Sequence, residues 1–188
     1  MIQNNIEKIL KNNPLIPVAT ISELSQVDEF YDQLKEQGVN CIEITLRTKI
    51  AWDAIALFKE KYGSDFSIGV GTIVSPDDIL KCVQNKVDFM VSPGLTNPMI
   101  QQFDVSEIPF LPGVSTPSEI IRGMDLGWKY FKFFPADLFG GAKALKTYGS
   151  IFKNSFFCPT GGINQDNYKD YLELDNVLSV GGSWLLNK

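Results

Sequence analysis

Three side chains, an amine, a carboxylate and a guanidinium, carry the chemistry this sequence offers. In Tyr130-Phe131-Lys132-Phe133-Phe134-Pro135-Ala136, read as a strand, alternation places Tyr130, Lys132 and Phe134 on one face and Phe131 and Phe133 on the other. In Cys41-Ile42-Glu43-Ile44-Thr45-Leu46-Arg47, Ile42, Ile44 and Leu46 share a face suited to packing under helices. Glu43, Thr45 and Arg47 share the opposite one. If both polar faces line the interior of a parallel sheet, the charges must meet each other or a ligand, because such an interior has no solvated side. An amine there loses hydration, which disfavours its ammonium form. A neutral amine in a dry pocket is what attack on a carbonyl to give an imine requires. Glu43 would move protons and Arg47 would pair with a carboxylate, so the set suits an anionic oxo-acid. The plainer alternatives are an edge-strand lysine that snorkels to water and a solvated antiparallel face.

A second signal is glycine. Pro159-Thr160-Gly161-Gly162 and Gly181-Gly182-Ser183 end the last two strand candidates, where small residues let backbone N–H groups approach an anion and a following helix adds its dipole. Either pair alone reads as a tight turn; two pairs on adjacent loops, each beside a hydroxyl, read as an anion site. Gly140-Gly141 is either a third wall or a turn. Thr72 ends a strand and could bond a carboxylate, and Pro93 and Phe134 could form an apolar wall. Cys158, mid-strand with no base nearby in sequence, reads as a small buried hydrophobe.

Composition narrows the chemistry further. The 188 residues include no histidine, which excludes Ser-His-Asp, Cys-His and the common zinc sites. Hydrophobic residues are 44% and charged residues 21%, as in an ordinary globular protein. The formal charge of −5 comes without a basic run, which argues against nucleic acid but not against a small anionic substrate in a locally cationic cleft. Cys41, Cys82 and Cys158 form no CxxC pair, so reduced structural thiols are expected. The stretch from Met1 to Lys11 has no apolar signal-peptide core, and no segment approaches the roughly 18 apolar residues of a membrane span. A cytoplasmic location is expected.

The elements that must position these residues alternate along the whole chain. Strands are predicted at Leu15–Ile21, Cys41–Leu46, Ser67–Ile73, Phe89–Gly94, Pro109–Val114, Tyr130–Ala136, Phe156–Gly161 and Val177–Gly182. Helices are predicted to start near Gln26, Ile50, Pro76, Pro98, Pro117, Gly141 and Gln165, with an opening helix over Ile2–Lys11. Ser75-Pro76-Asp77-Asp78 and Thr116-Pro117-Ser118-Glu119 are capping boxes with proline at the first helical position, and Thr96-Asn97-Pro98 is a looser version. Eight alternating strands predict a compact α/β (β/α)₈ TIM barrel, a single domain over 1–188. Such a barrel occupies about 250 residues, roughly 200 at the compact end, so a trimmed form is expected. Only Ser183 to Lys188 follow the last strand, which predicts a missing or truncated final helix. No GxGxxG joins the first strand to its helix, against a dinucleotide site.

With Glu43-Ile44-Thr45-Leu46-Arg47-Thr48, Ser92-Pro93-Gly94-Leu95-Thr96, Phe131-Lys132-Phe133-Phe134-Pro135-Ala136, Cys158-Pro159-Thr160-Gly161-Gly162-Ile163 and Gly181-Gly182-Ser183-Trp184 in order, the chain resembles one known family. It is similar to the 2-keto-3-deoxy-6-phosphogluconate (KDPG) / 4-hydroxy-2-oxoglutarate (KHG) aldolases, from about Pro17 to Trp184. The resemblance implies a cofactor-free class I aldolase, a carbon–carbon lyase of the Entner–Doudoroff pathway, with a (β/α)₈ fold and a homotrimeric assembly. It implies Lys132 as the Schiff-base lysine and Glu43 as the proton-shuttling acid/base. It implies Arg47, Thr72 and Pro93 at the pyruvate end, and Phe134 beside the imine. Thr160, Gly161, Gly162, Gly182 and Ser183 fall at the phosphate end. Family members continue past Gly-Gly-Ser-Trp into a further helix, from which this chain departs. The rival substrates are the epimer 2-keto-3-deoxy-6-phosphogalactonate and unphosphorylated KHG. A non-catalytic sugar-phosphate-binding barrel is the rival from another class, and a metal-dependent pyruvate aldolase is disfavoured because acids do not cluster.

Overall fold

Strands and helices alternate as the hydrophobic pattern requires. The computed structural model describes residues 3–186, so the expected helix position Ile2 and the terminal Asn187 and Lys188 lie outside the described residues. The order is α1 (Gln3–Asn12), β1 (Leu15–Ala19), α2 (Gln26–Glu36), β2 (Cys41–Thr45), α3 (Ala51–Tyr62), β3 (Ser67–Gly71), α4 (Pro76–Gln84), β4 (Phe89–Val91), α5 (Asn97–Ser106) and β5 (Phe110–Leu111). There follow β6 (Gly113–Val114), α6 (Pro117–Asp125), β7 (Tyr130–Phe133), a 3₁₀ turn (Asp137–Phe139), α7 (Gly141–Ile151), β8 (Phe156–Pro159), α8 (Tyr168–Leu172) and β9 (Val180–Gly182). All strand pairs are parallel, in a sheet ordered β5-β4-β3-β2-β1-β9 and a second ordered β6-β7-β8. Isolated parallel bridges Phe157↔Val177 and Thr160↔Gly181 join β8 to the segment that carries β9.

Most strands are shorter than the sequence predicts, and the reasons are local. The C-terminal residues leave the ladder to build loops: Leu46 and Arg47 turn after β2, and Phe134 to Ala136 turn after β7. The predicted strand over Pro109–Val114 is broken at Pro112, which has no N–H to give to a ladder. Its carbonyl still accepts from the Lys132 N–H at 2.8 Å. The helix expected near Gln165 starts at Tyr168 and has five residues. After β9 the described residues make a turn, with Leu186 N–H donating to the Ser183 carbonyl at 3.0 Å.

The core divides into three clusters by face. Ile42, Ile44, Ile68 and Val70 pack outward against Val27, Leu34, Ile55 and Phe58 of α2 and α3. Phe131, Phe133 and Phe157 pack outward against Ile120 of α6 and Leu145 of α7. On the inner face, Ile16, Cys41, Phe89, Val91, Leu111, Tyr130 and Cys158 meet Ile6 and Leu10 of α1. Ile6 and Leu10 are one helical turn apart and fully buried, so α1 stops the end of this inner core opposite the strands' C-termini. Burying each contributes about 1.5–3 kcal/mol. Gln3 anchors the plug: its Nε2 donates to the Tyr130 carbonyl at 2.9 Å, and its Oε1 accepts from Lys129 N–H at 2.8 Å. Ser75–Asp78 and Thr116–Glu119 form the expected capping boxes, and Thr96 caps α5 through Met99 N–H.

Candidate active site

The inner face of β2 presents Cys41, Glu43 and Thr45, and that of β7 presents Tyr130 and Lys132, as alternation predicts. Lys132 Nζ lies 3.0 Å from Glu43 Oε1 and 3.5 Å from Oε2. Lys132 is 5% exposed and Glu43 3% exposed, so this is a dry ion pair and not a snorkelling lysine. Removing either partner would leave a buried unpaired charge, a change that costs about 3–5 kcal/mol. Lys132 Nζ also stands 5.2 Å from the centroid of the Phe134 ring, within cation–π range.

Two glycines that sequence reading passed over make this contact possible. A Cβ at Gly71 would overlap the Glu43 carboxylate, so the last position of β3 must be bare for the acid to sit there. Gly113 is the register partner of Lys132, and a Cβ on it would collide with the Pro93 backbone. That close approach carries Pro93 to the strand beside the lysine. The signal was present, as glycine inside or at the end of a strand often marks close approach of another group. On the other side of Lys132 its register partner is Cys158. Burial pushes the Cys158 thiol up to about 11, which makes it packing and not a nucleophile.

One layer above the ion pair, towards the strands' C-terminal ends, a cleft of about 550 Å³ opens. Arg47, Phe134, Thr160, Gly161, Gly162, Gly182 and Ser183 line it, together with Val18, Thr20 and Phe30. The structure thus brings together seven of the expected site residues at the cleft and places Lys132 and Glu43 beneath it. Arg47 is exposed and has no ion pair among the described residues, so its guanidinium is available to an anion.

Thr72 and Pro93 do not line the cleft. Thr72 follows β3 with φ of 63°, a left-handed conformation that is strained for a β-branched residue by about 1–3 kcal/mol. Backbone strain of this kind, next to the Glu43–Gly71 contact, marks a position held by its surroundings.

At the glycine end, Gly161 and Gly162 adopt φ of 95° and 76°, which only glycine takes without strain. Among the described residues the N–H groups of Gly161, Gly162 and Ile163 find no intramolecular acceptor. Gly181 lacks a Cβ where Thr160 Oγ1 sits, which lets the two loops close on each other. The expected helix dipole is not adjacent: residues 163–167 intervene before α8 begins. Gly140 and Gly141 are a turn. They end the 3₁₀ segment and start α7, away from the cleft lining. Among the described residues no group of three or more His, Cys, Asp or Glu is placed to hold a metal ion, and no helix is long and apolar enough to cross a membrane.

Known proteins resemble this chain over nearly its whole length. A KHG/KDPG aldolase of Escherichia coli (strain K12) is 42% identical over 185 residues, 98% of this chain and 86% of the relative. The KDPG aldolase of Legionella pneumophila, solved with pyruvate captured as a covalent carbinolamine intermediate, superposes with a TM-score of 0.93 at 39% identity. That match covers 97% of this chain and 88% of the other. The Zymomonas mobilis ZM4 KDPG aldolase, solved with 3-phosphoglycerate, gives 0.92 at 36% identity, covering 97% and 86%. The sequence model of the KDPG and KHG aldolases matches residues 6–188, and the chain belongs to that family.

Proposed function

We propose that the protein is a class I aldolase that cleaves KDPG to pyruvate and glyceraldehyde 3-phosphate through an imine on Lys132. The observation that carries this reading is the buried 3.0 Å contact between Lys132 Nζ and Glu43 Oε1. It sets the amine that attacks beside a carboxylate able to move protons at the reacting carbons. Lys132 adds to the C2 carbonyl, and the carbinolamine loses water to give an iminium. Glu43, through a water, accepts the C4 hydroxyl proton as the C3–C4 bond breaks. The bonding electrons flow to the iminium nitrogen, leaving an enamine and the free aldehyde. Protonation at C3 and hydrolysis release pyruvate and restore the amine. A pure sugar-phosphate-binding protein would have no use for this pair.

Substrate ends are assigned as the family resemblance implies. Arg47 takes the C1 carboxylate, with Thr72 and Pro93 at the pyruvate end, and Phe134 flanks the imine. The phosphate is held by Thr160, Ser183 and the N–H groups around Gly161, Gly162 and Gly182. The Zymomonas relative with 3-phosphoglycerate supports a phosphorylated three-carbon product. The C4 epimer, 2-keto-3-deoxy-6-phosphogalactonate, is the second substrate to be assayed.

The reading extends to the architecture. The two sheets are taken as one closed (β/α)₈ barrel over a single domain 1–188: β5 and β6 are consecutive through Pro112, and the Phe157↔Val177 and Thr160↔Gly181 bridges link the other edges. The family's homotrimer is proposed here also, with exposed Leu138 and Phe139 offering apolar surface. No metal is required, since the iminium supplies the electron sink. A cytoplasmic location is supported by three free, buried cysteines. Borohydride trapping of a pyruvate adduct on Lys132 tests the reading.

A further inference from the structure

The hydroxyl of Thr20 at the cleft wall can be assigned a direction. Thr45, fully buried, donates from Oγ1 to the Ala19 carbonyl at 2.9 Å. A carbonyl can only accept, and a hydroxyl has one proton. The second contact of Thr45 Oγ1, 2.9 Å to Thr20 Oγ1, must therefore have Thr20 as its donor. Thr20 lines the cleft with its proton committed inward, so it faces a ligand with lone pairs alone.

Its level in the cleft follows from register. Val18 pairs with Glu43 and Ala19 with Ile44, which sets Thr20 beside Thr45, one layer above the Glu43–Lys132 contact. Phe134 and Thr160 lie two residues beyond Lys132 and its register partner Cys158, at that same layer. The glycine loops come after it. A substrate tethered at C2 to Lys132 and held by its far anion at the loops passes C4 and C5 through this layer. The C4 hydroxyl gives its proton towards Glu43, which leaves the C5 substituent for Thr20.

We infer that Thr20 is a specificity-determining residue that accepts a hydrogen bond from the C5 hydroxyl of KDPG and disfavours KHG. This rests on the aldolase reading above. In KDPG, C5 carries a hydroxyl, a donor; in KHG, C5 is a carboxylate, which only accepts. Lone pairs on Thr20 meet a proton in the first case and negative oxygen in the second. To serve KHG, Thr20 would have to turn its proton outward and break the chain through Thr45 to Ala19, losing about one hydrogen bond.

The test is the ratio of kcat/KM for KDPG to that for KHG in wild type, Thr20→Val and Thr20→Ser. A ratio cancels any change in the folded fraction, and Val keeps the shape while removing the oxygen. Thr20→Val is expected to lower the ratio about tenfold, the size of one lost hydrogen bond, and Thr20→Ser to restore most of it. An active wild type whose ratio is unchanged in Thr20→Val overturns the assignment of Thr20 alone. A wild type that cleaves neither substrate overturns the aldolase reading, and this inference with it.

Discussion

Gly71 and Glu43 fit together as bare backbone and buried carboxylate: the acid occupies the space that any side chain at position 71 would fill. The Lys132–Glu43 contact therefore depends on three strands, β2 for the acid, β7 for the amine, and β3 for the space between the acid and its neighbour.

Gly71→Ala should displace the Glu43 carboxylate, because the new methyl meets it directly. We expect kcat to fall by at least tenfold and stability to drop by about 1–3 kcal/mol, the usual cost of overpacking. Gly94→Ala is the control, since a Cβ there meets nothing within 4 Å. Paired denaturation curves and steady-state assays check it; an unchanged kcat in Gly71→Ala would contradict the geometry.

Glu43→Gln separates imine formation from bond cleavage. The amide preserves shape and can still hydrogen-bond Lys132, but it accepts no proton. Pyruvate should still become trapped on Lys132, while cleavage turnover falls about 10²–10⁴-fold, the range for a lost general acid/base. Full turnover in this variant would remove Glu43 from the mechanism.

Glu119 gives a pH signature remote from the site. Burial raises its carboxyl, but Ser115 and Thr116 N–H and hydroxyl groups outweigh this and hold it below the usual carboxylate range. A group depressed by folding stabilises the protein above its unfolded pKa, about 4.3 for Glu. That contribution disappears as pH falls through the folded value. Thr116→Ala should cost about 1 kcal/mol at pH 7, the usual worth of an N-cap, and the gap from wild type should narrow below about pH 4. Denaturant titrations at both pH values measure it, and a gap that widens in acid would be evidence against the capping box.

The thiols should be silent in the native state. Burial pushes Cys82 up to about 12 and Cys158 up to about 11, and raises Cys41 as well. With so little thiolate and no access, iodoacetamide at pH 8 should leave all three unmodified until denaturant is added, as intact mass will show. Rapid native labelling at Cys158 would mean that the core beside Lys132 opens readily.

Much of this site was legible because period-two alternation is a local property. Glu43 and Lys132 fall on the same inner face whether or not anything is known of the rest of the chain, and the glycine pair beside Thr160 announces the bend at 161–162, whereas Gly181 and Gly182 complete β9. What was not legible depends on contacts between distant segments. Nothing near Gly71 in sequence says that a carboxylate from the neighbouring strand β2 will sit on it, and the break at Pro112 left a strand that reads as continuous. The direction of the Thr20 hydroxyl is set only by its partner Thr45, which is committed to Ala19. The expected helix dipole beside Gly161 and Gly162 failed for the opposite reason: Gln165 begins a helical pattern, but Asn164 and Asn167 tie residues 162–167 into a turn first.

The central claim is that Lys132 forms the imine, and one measurement addresses it most directly. Purified protein is incubated with pyruvate, reduced with borohydride and mapped by peptide mass spectrometry. A stable pyruvate-derived adduct is expected on Lys132 alone, absent in Lys132→Ala together with cleavage activity. No adduct, an adduct on another lysine, or full activity in Lys132→Ala would contradict it.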